Sequence, residues 1–213
     1  MQQIAETFVD LCTQKPLEKV SISDIVSSTG NNRKTFYYHF ENKENLVAWV
    51  YRSDMGKMLV ERFPESMLVY EKTGKGPSNT AQFPFYMRNK SGIRSLNQGQ
   101  FFECFGAVLE TRRTFYAQAL NDSGRYGLRN YLHELYTEAL KGDVRLILSN
   151  RPMSEKDIDF LASINTGAFL DYLCRLCQQT PEVPLTGTTD LFSNYIHESM
   201  EQQIKSAQAH RSL

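Results

Sequence analysis

The chain has 213 residues, and its 24 lysines and arginines balance its 24 aspartates and glutamates, so the formal net charge is zero. Hydrophobic residues make up 41% and charged residues 23%, an ordinary globular composition that supports a sizeable core. A wholly disordered chain and a histone-like polycation are therefore excluded. Since a domain takes roughly 150 residues, the length predicts one large domain or two small ones.

Neither a membrane span nor a secretory signal is predicted. The longest strongly apolar stretch, Leu46–Val50, is far shorter than the roughly 18 residues that a membrane span requires. The N-terminal segment lacks a basic region followed by an apolar block, so it does not have the pattern of a signal peptide. The four cysteines are too few for a disulfide scaffold, and we expect a cytoplasmic protein without membrane association.

An amphipathic helix is predicted near the N-terminus, because apolar residues recur at helical spacing over residues 2–13 and Pro16 follows. Ser21 and Asp24 then have the spacing of a capping box and predict the start of a second helix. Gly30 is placed to end this helix, since glycine adopts the left-handed backbone conformation at little cost.

Further helices are predicted along the rest of the chain. Asn32 can cap a short third helix, residues 33–39, and Asn42 a longer fourth helix that stops near Pro64. Residues 72–99 contain many glycine, proline, serine and asparagine residues and are interpreted as a long loop. More helices are expected at about residues 100–111, 112–121, 126–149, 155–179 and 188–207. Because no stretch shows clear β-alternation, the predicted fold class is all-α.

A helix, a glycine-containing turn and a short helix over residues 21–46 form the arrangement of a helix-turn-helix. Phe36 and Phe40 lie one helical turn apart and are expected to face the core. Lys34 and Tyr38 lie on the opposite face. Cationic side chains can donate to guanine O6 and N7 in the major groove, and tyrosine or histidine side chains can reach phosphate oxygens. The third helix is therefore a candidate for reading DNA.

The same aromatic residues could instead form the core of an ordinary helical bundle, with Lys34 as a solvated surface charge. A helix this short, however, has too little buried area to cover all its aromatic rings. Some of these rings are therefore expected to be exposed, and exposed aromatic side chains beside cations commonly mark a binding surface.

At this point the residues match a known family: residues 4–52 resemble the N-terminal DNA-binding domain of TetR-family transcriptional regulators. The resemblance implies an all-α, TetR-like protein, with a three-helix helix-turn-helix domain in residues 1–52. A larger helical bundle, which binds an effector and forms the dimer, would occupy residues 53–213. The residues that carry the resemblance are Ser21, Asp24, Gly30, Thr35, Phe36, Tyr37, Tyr38, His39, Phe40, Lys43 and Leu46.

The resemblance further implies a ligand-responsive regulator that binds a palindromic double-stranded DNA operator as a homodimer. Its recognition helix, residues 32–39, would enter the major groove. Two departures from the family are noted: Asn31 stands where an apolar residue is usual, and no basic arm precedes the first helix. The DNA-contacting positions of the family fall here on Arg33, Lys34, Thr35, Tyr37, Tyr38, His39 and Lys43.

Charge argues for few phosphate contacts. Residues 1–52 contain six cationic and six acidic residues, whereas residues 31–43 contain three cations and one acid. The positive charge is therefore local to the recognition helix. Because the slope of log affinity against log salt is about −0.9 for each neutralised phosphate, a shallow salt dependence is expected.

The C-terminal part is expected to bind an unidentified small-molecule effector, as the resemblance implies. Helices rich in aromatic residues could line its pocket, although an ordinary bundle core is the commoner explanation for any one of them. The last two helices are apolar over more than one stripe. The resemblance implies that they pair with a second copy, which is the prediction here, and a buried core within one chain is the alternative. The candidate pocket residues are Phe101, Phe105, Tyr116 and Tyr131, and the candidate dimer residues are Leu161, Phe169, Tyr172, Leu191 and Tyr195.

Residues 101–124 weakly resemble a subgroup related to regulators of dihydroxyacetone kinase operons. Well-known members of that subgroup act as activators with a protein partner, so the resemblance leaves a protein co-regulator possible and repression is not assumed. An alternative hypothesis follows: a TetR-like interaction module that works mainly through a partner and binds DNA weakly.

An enzymatic function is not predicted. Cys174 and Cys177 form a C-x-x-C, but they fall late in a helical run with no strand nearby, whereas redox pairs usually sit at a helix start beside a strand. Two core or interface cysteines explain the pattern better. The histidines show no metal-ligand spacing, and no phosphate-binding or catalytic motif is present, so neither a metal nor a cofactor is expected.

Overall fold

The computed structural model describes residues 1–71, 79–92, 95–121, 127–179, 183–187, 195, 198–199 and 202–206. The fold is all-α, as predicted. The helices are α1 (Gln2–Gln14), α2 (Ile22–Ser28), α3 (Arg33–His39), α4 (Lys43–Arg62), α5 (Gly99–Thr111), α6 (Arg113–Asn121), α7 (Leu128–Leu148) and α8 (Glu155–Gln178). Single 3-10 turns occupy Leu17–Lys19 and Glu65–Met67. No helix in these ranges is both long and apolar enough to cross a bilayer.

Side-chain caps begin helices α2, α3 and α4. Ser21 and Asp24 form the predicted capping box: the Ser21 Oγ accepts from the Asp24 amide at 3.2 Å, and the Asp24 carboxylate accepts from the Ser21 amide at 2.8 Å. The Lys15 ammonium, 2.7 Å from the same carboxylate, together with the Ser21 donors, lowers the pKa of Asp24 to about 2. Gly30 ends α2 with φ +66°. This local chemistry fixes the turn between α2 and α3.

Helix α4 runs without a break through residue 52, where the proposed N-terminal domain ends. Its residue Arg52 is fully buried. The guanidinium pairs with Glu71 and donates to the Tyr131 Oη at 3.0 Å and to the carbonyls of Thr80 and Phe83 at 3.1 and 2.8 Å. One side chain on α4 thereby ties the helix to α7 and to the segment around residue 80.

The segment predicted as a long loop, residues 72–99, contains strands among its described residues. β1 (Leu68–Val69) pairs antiparallel with β2 (Tyr86–Met87), and β3 (Lys90–Gly92) pairs with β4 (Ser95–Leu96). Phe85, Tyr86, Met87 and Leu96 are buried. Strands of two or three residues are too short to show alternation, which is why the sequence pattern did not reveal them.

The C-terminal core is built around aromatic rings. Phe101 and Phe105 on α5 lie 5.4 and 5.5 Å from the ring of Tyr136 on α7. Phe169 on α8 lies 5.0 Å from Phe105, and Tyr51 on α4 lies 5.6 Å from it, each measured between ring centroids. These edge-to-face and tilted contacts join four helices in one core.

Candidate nucleic-acid interface

Helix α3 is held by an inward aromatic stripe. Phe36 and Phe40 are 0% and 2% exposed, and the Phe40 ring lies 6.0 Å from Trp49 on α4. Trp49 in turn contacts Phe83 at 5.8 Å. Asn32 caps the helix, since its Oδ1 accepts from the Thr35 amide at 3.0 Å. A helix of seven residues is too short to be stable alone, so α3 is stabilised by this packing and by its cap.

The outward face of α3 carries exposed tyrosines and cations. Tyr38 is 83% exposed and Tyr37 is 54% exposed, although both are large enough to bury substantial apolar area. Lys34 and Arg33 are exposed beside them. Exposed rings next to cations on a rigid helix suit contact with base edges and phosphates.

Thr35 and His39 are half-buried at the margins of this face. The Tyr38 ring packs edge to face on His39, with 5.0 Å between centroids. Burial lowers the pKa of His39 below its ordinary value of 6.5. At neutral pH the imidazole is therefore neutral, so it can donate a hydrogen bond to a phosphate without adding charge.

The turn before α3 is ordered by backbone contacts. The Asn31 amide donates to the Val26 carbonyl at 2.9 Å, and its side chain reaches the Thr29 carbonyl at 3.5 Å. Arg33 donates to the Ser23 Oγ, which ties α3 to α2. The backbone amide at position 31, which an apolar residue would also supply, therefore closes the turn, and the polar side chain adds one long hydrogen bond to it.

The side chain of Lys43, which was expected to reach a phosphate, is directed into the protein instead. Its ammonium donates to the carbonyls of Leu17, Glu18 and Val20 at 2.9, 3.4 and 3.3 Å. All three donors of the ammonium are thus engaged within the protein. The side chain joins the start of α4 to the 3-10 turn that precedes α2. It therefore helps to position the recognition helix, which lies between α2 and α4 in the chain.

We expect Lys43→Met to lower the free energy of unfolding by about 1–3 kcal/mol, because three carbonyls lose a charged donor. The salt dependence of DNA binding should not change. Urea unfolding and operator affinity at several salt concentrations measure both effects. Lys19→Met, at an exposed lysine of the same 3-10 turn, is the matched control. A loss of about two units of salt slope, one for each subunit of the dimer, with unchanged stability would instead show a phosphate contact.

Three of the four candidate pocket residues are packed in the core of the described part of the chain. Phe101, Phe105 and Tyr116 are at most 1% exposed and fill the core, and the Tyr116 Oη donates to Asp54 at 2.7 Å. Tyr131 does line a cavity, which lies between α7 and β1–β2. Helical periodicity identified buried residues correctly, but it carries no information on whether space remains between them.

The candidate dimer residues of α8 are divided between core and surface. Leu161 and Phe169 are buried, and the Phe169 ring lies 4.5 Å from Phe102 within the same chain. Tyr172 is half-buried and Tyr195 is 64% exposed, whereas Leu191 lies outside the described residues. Leu161 and Phe169 therefore belong to the core of one chain.

The exposed apolar stripe of α8 lies one position away from those residues. Phe160 and Ile164 are 63% and 53% exposed, and Ala168 continues the stripe at the same spacing. Residues four apart lie on one face of a helix, so the signal was present in the sequence. The prediction of the dimer surface did not include Phe160. Which of two adjacent apolar stripes faces solvent depends on how α8 is rotated against α6 and α7, and the sequence does not give that rotation.

The cysteines lie in the interior. Burial raises the pKa of Cys174 and Cys177 to about 11 each. Their thiols are therefore protonated at neutral pH, which is unfavourable for nucleophilic or redox chemistry. The placement agrees with two packing residues on α8.

Known proteins resemble both parts of the chain. The family model described as bacterial regulatory proteins, tetR family, matches residues 4–50, and one described as transcriptional regulator C-terminal region matches residues 97–182. Together they cover more than half of the chain. A curated relative, the HTH-type dhaKLM operon transcriptional activator DhaS of Lactococcus lactis subsp. lactis (strain IL1403), is 34% identical over 56 residues. That alignment spans 26% of this chain and 30% of the relative.

Two solved structures share the fold over almost the whole chain. The dihydroxyacetone kinase operon activator DhaS matches with a TM-score of 0.51 and 16% identity, covering 97% of both chains. A tetR-family transcriptional regulator from Streptomyces coelicolor matches with a TM-score of 0.51 and 14% identity, covering 98% of this chain and 82% of that one. At such identities the similarity concerns the fold alone.

Proposed function

Because the chain belongs to the TetR family of bacterial regulatory proteins, and is accordingly a DNA-binding transcriptional regulator, we propose that it binds a palindromic operator as a ligand-responsive homodimer. Helix α3 enters the major groove and makes the base contacts. The protein acts in the cytoplasm, where such an operator is accessible. Its DNA contacts come from Arg33, Lys34, Thr35, Tyr37, Tyr38 and His39, with Lys43 in a positioning role.

The exposure of Tyr38 carries this proposal. Its ring is 83% exposed although Phe36 and Phe40 on the same short helix are fully packed. Leaving an aromatic ring in water forgoes about 1.5–3 kcal/mol of burial, so a functional contact is the simplest reason for its position. Lys34 lies on the same face, one turn earlier, and can donate to a guanine edge.

Dimerisation is supported by the exposed stripe of Phe160, Ile164 and Ala168 on α8. Two copies of such a stripe can pack on each other about a twofold axis, which gives an isologous interface. The two α3 helices must then lie about 34–36 Å apart to enter successive major grooves. Tyr195, which is also exposed, extends the proposed interface.

The sign of regulation is left open by this proposal. One relative is described as a transcriptional activator, and a protein co-regulator is compatible with such an action. The zero net charge of residues 1–52 supports a second candidate function, an interaction module that itself binds DNA weakly.

Selection of binding sites from random duplex DNA tests the proposal. The purified protein should enrich a palindromic consensus with half-sites one helical turn apart, and sedimentation should give a dimer. A folded dimer that enriches no site would contradict direct DNA recognition and favour the interaction module.

Ile164→Glu tests the dimer surface within the same experiment. A charge on the exposed stripe should convert the dimer to monomer and abolish enrichment of the palindrome, because one half-site alone gives too little affinity. Val60→Glu, at a 57% exposed valine of α4, is the matched control and should leave the dimer intact. A dimeric Ile164→Glu variant would show that the interface lies elsewhere.

A further inference from the structure

A cleft of about 570 Å³ lies between α7 and the β1–β2 pair. Its apolar and aromatic wall is formed by Val69, Phe85, Leu135, Tyr70 and Tyr131. This volume falls within the roughly 300–1,000 Å³ of typical small-molecule sites. None of the sequence-predicted pocket residues except Tyr131 lines it, so the cleft is distinct from the filled aromatic core.

The cations that line the cleft are paired. Arg88 pairs with the buried Asp143 at 2.6 Å, and Arg145 pairs with Glu155 at 2.6 Å. Neither guanidinium is therefore left to balance an anionic ligand.

The acids that line the cleft are not all paired. Glu71 pairs with Arg52, and Glu138 pairs with Lys141 at 2.9 Å. Glu134 also lines the cleft. Its side chain is exposed, and in the described part of the chain it takes no hydrogen bond or ion pair. The cleft thus presents one unpaired carboxylate at its solvent-exposed rim, beside aromatic rings.

We propose that this cleft binds an amphipathic organic cation, with Glu134 as the counter-charge. A flat apolar body would cover Phe85 and Leu135, and a positive group would lie near the carboxylate. One face of the Phe85 ring already lies 5.2 Å from the Arg52 guanidinium, so the cation would meet the Tyr70 ring, which is 37% exposed. Aromatic rings attract cations through their π faces, which favours a cation over a neutral ligand of the same shape. An anionic ligand would meet Glu134 and find both arginines already engaged.

An occupant would touch the side chains that hold α4. Tyr131 and Glu71 both line the cleft, and both are partners of the Arg52 guanidinium. Ligand contact with either of them therefore alters the surroundings of Arg52 on the helix that follows α3. This consequence for operator affinity rests on the proposed function, whereas binding of the cation does not.

Fluorescence polarisation of rhodamine 6G, a cationic aromatic dye, tests the binding step without DNA. The full-length protein should bind the dye, and Glu134→Gln should weaken binding about tenfold or more. Glu103→Gln, which removes an exposed acid of α5 outside the cleft, should not change it. The anionic dye fluorescein should not bind. No binding of rhodamine 6G, or equal binding by Glu134→Gln, would overturn the proposal.

Operator affinity in the presence of saturating rhodamine 6G tests the coupling separately. A change of fivefold or more that is absent in Glu134→Gln is expected, which is the lower end of typical allosteric coupling. Dye binding without any operator binding would leave the cleft established and refute the proposed function. Dye binding with unchanged operator affinity would refute only the coupling.

Discussion

Replacing Lys34 or Tyr38 by alanine is expected to reduce affinity for the selected operator about a hundredfold or more, while the fold stays intact. A good contact to a base edge contributes about 1–3 kcal/mol, and a homodimer loses it twice. Both side chains are exposed, and among the described residues neither takes a hydrogen bond or ion pair; the Tyr38 ring contacts only its neighbour His39 within the helix. Unfolding by urea should therefore change little. Fluorescence anisotropy of labelled operator measures the affinity.

Lys156→Ala is the control for charge, because Lys156 is an exposed lysine of α8 far along the chain from α3. It should bind operator as the parent does. Tyr38→Phe removes the hydroxyl and keeps the ring. If this variant binds the operator with the affinity of the parent, the ring makes the contribution of Tyr38 to binding. If Lys34→Ala and Tyr38→Ala both bind operator like the parent, the assignment of α3 as the recognition helix is wrong.

Arg52→Met is expected to lower the free energy of unfolding by about 3–5 kcal/mol, because removing one partner of a buried ion pair leaves the other uncompensated. The guanidinium is 0% exposed, and its loss leaves Glu71 without its cation and removes a charged donor from the carbonyls of Thr80 and Phe83. Urea unfolding followed by circular dichroism measures the effect.

The matched control is Arg129→Met, which breaks a pair with Asp171 at 3.1 Å in which both side chains are more than two-fifths exposed. Pairs of this kind contribute about 0–1 kcal/mol, so little should change. Glu71→Gln offers a milder break should Arg52→Met fail to fold. Equal stability of Arg52→Met and Arg129→Met would contradict the role given to the buried pair.

Local chemistry explains why the N-terminal part could be predicted from sequence. Ser21, Asn32 and Asn42 all cap the helices that they were expected to begin, because a cap depends on residues only three positions away. Gly30 ends α2 for a similarly local reason. The family resemblance, which rested on these positions and on the third helix, is confirmed by the matched family models.

Contacts between distant residues explain what the sequence could not reveal. Lys43 is engaged by carbonyls more than twenty positions earlier, so its exposure to DNA could not be judged from its neighbours. Phe101 and Phe105 were placed in a pocket, yet Tyr136 and Phe169 fill that space. The cleft beside Glu134 also depends on the β1–β2 pair, whose strands are too short to predict.

The position of Trp49 has a spectroscopic consequence. It is the single tryptophan of the chain and is 4% exposed. Its indole lies between the ring of Phe40, at the end of the recognition helix, and the ring of Phe83, which precedes β2. Displacing either ring admits water to the indole, which red-shifts and quenches its emission. Any binding event that moves either ring is thus reported by one intrinsic fluorophore, without a label on the protein.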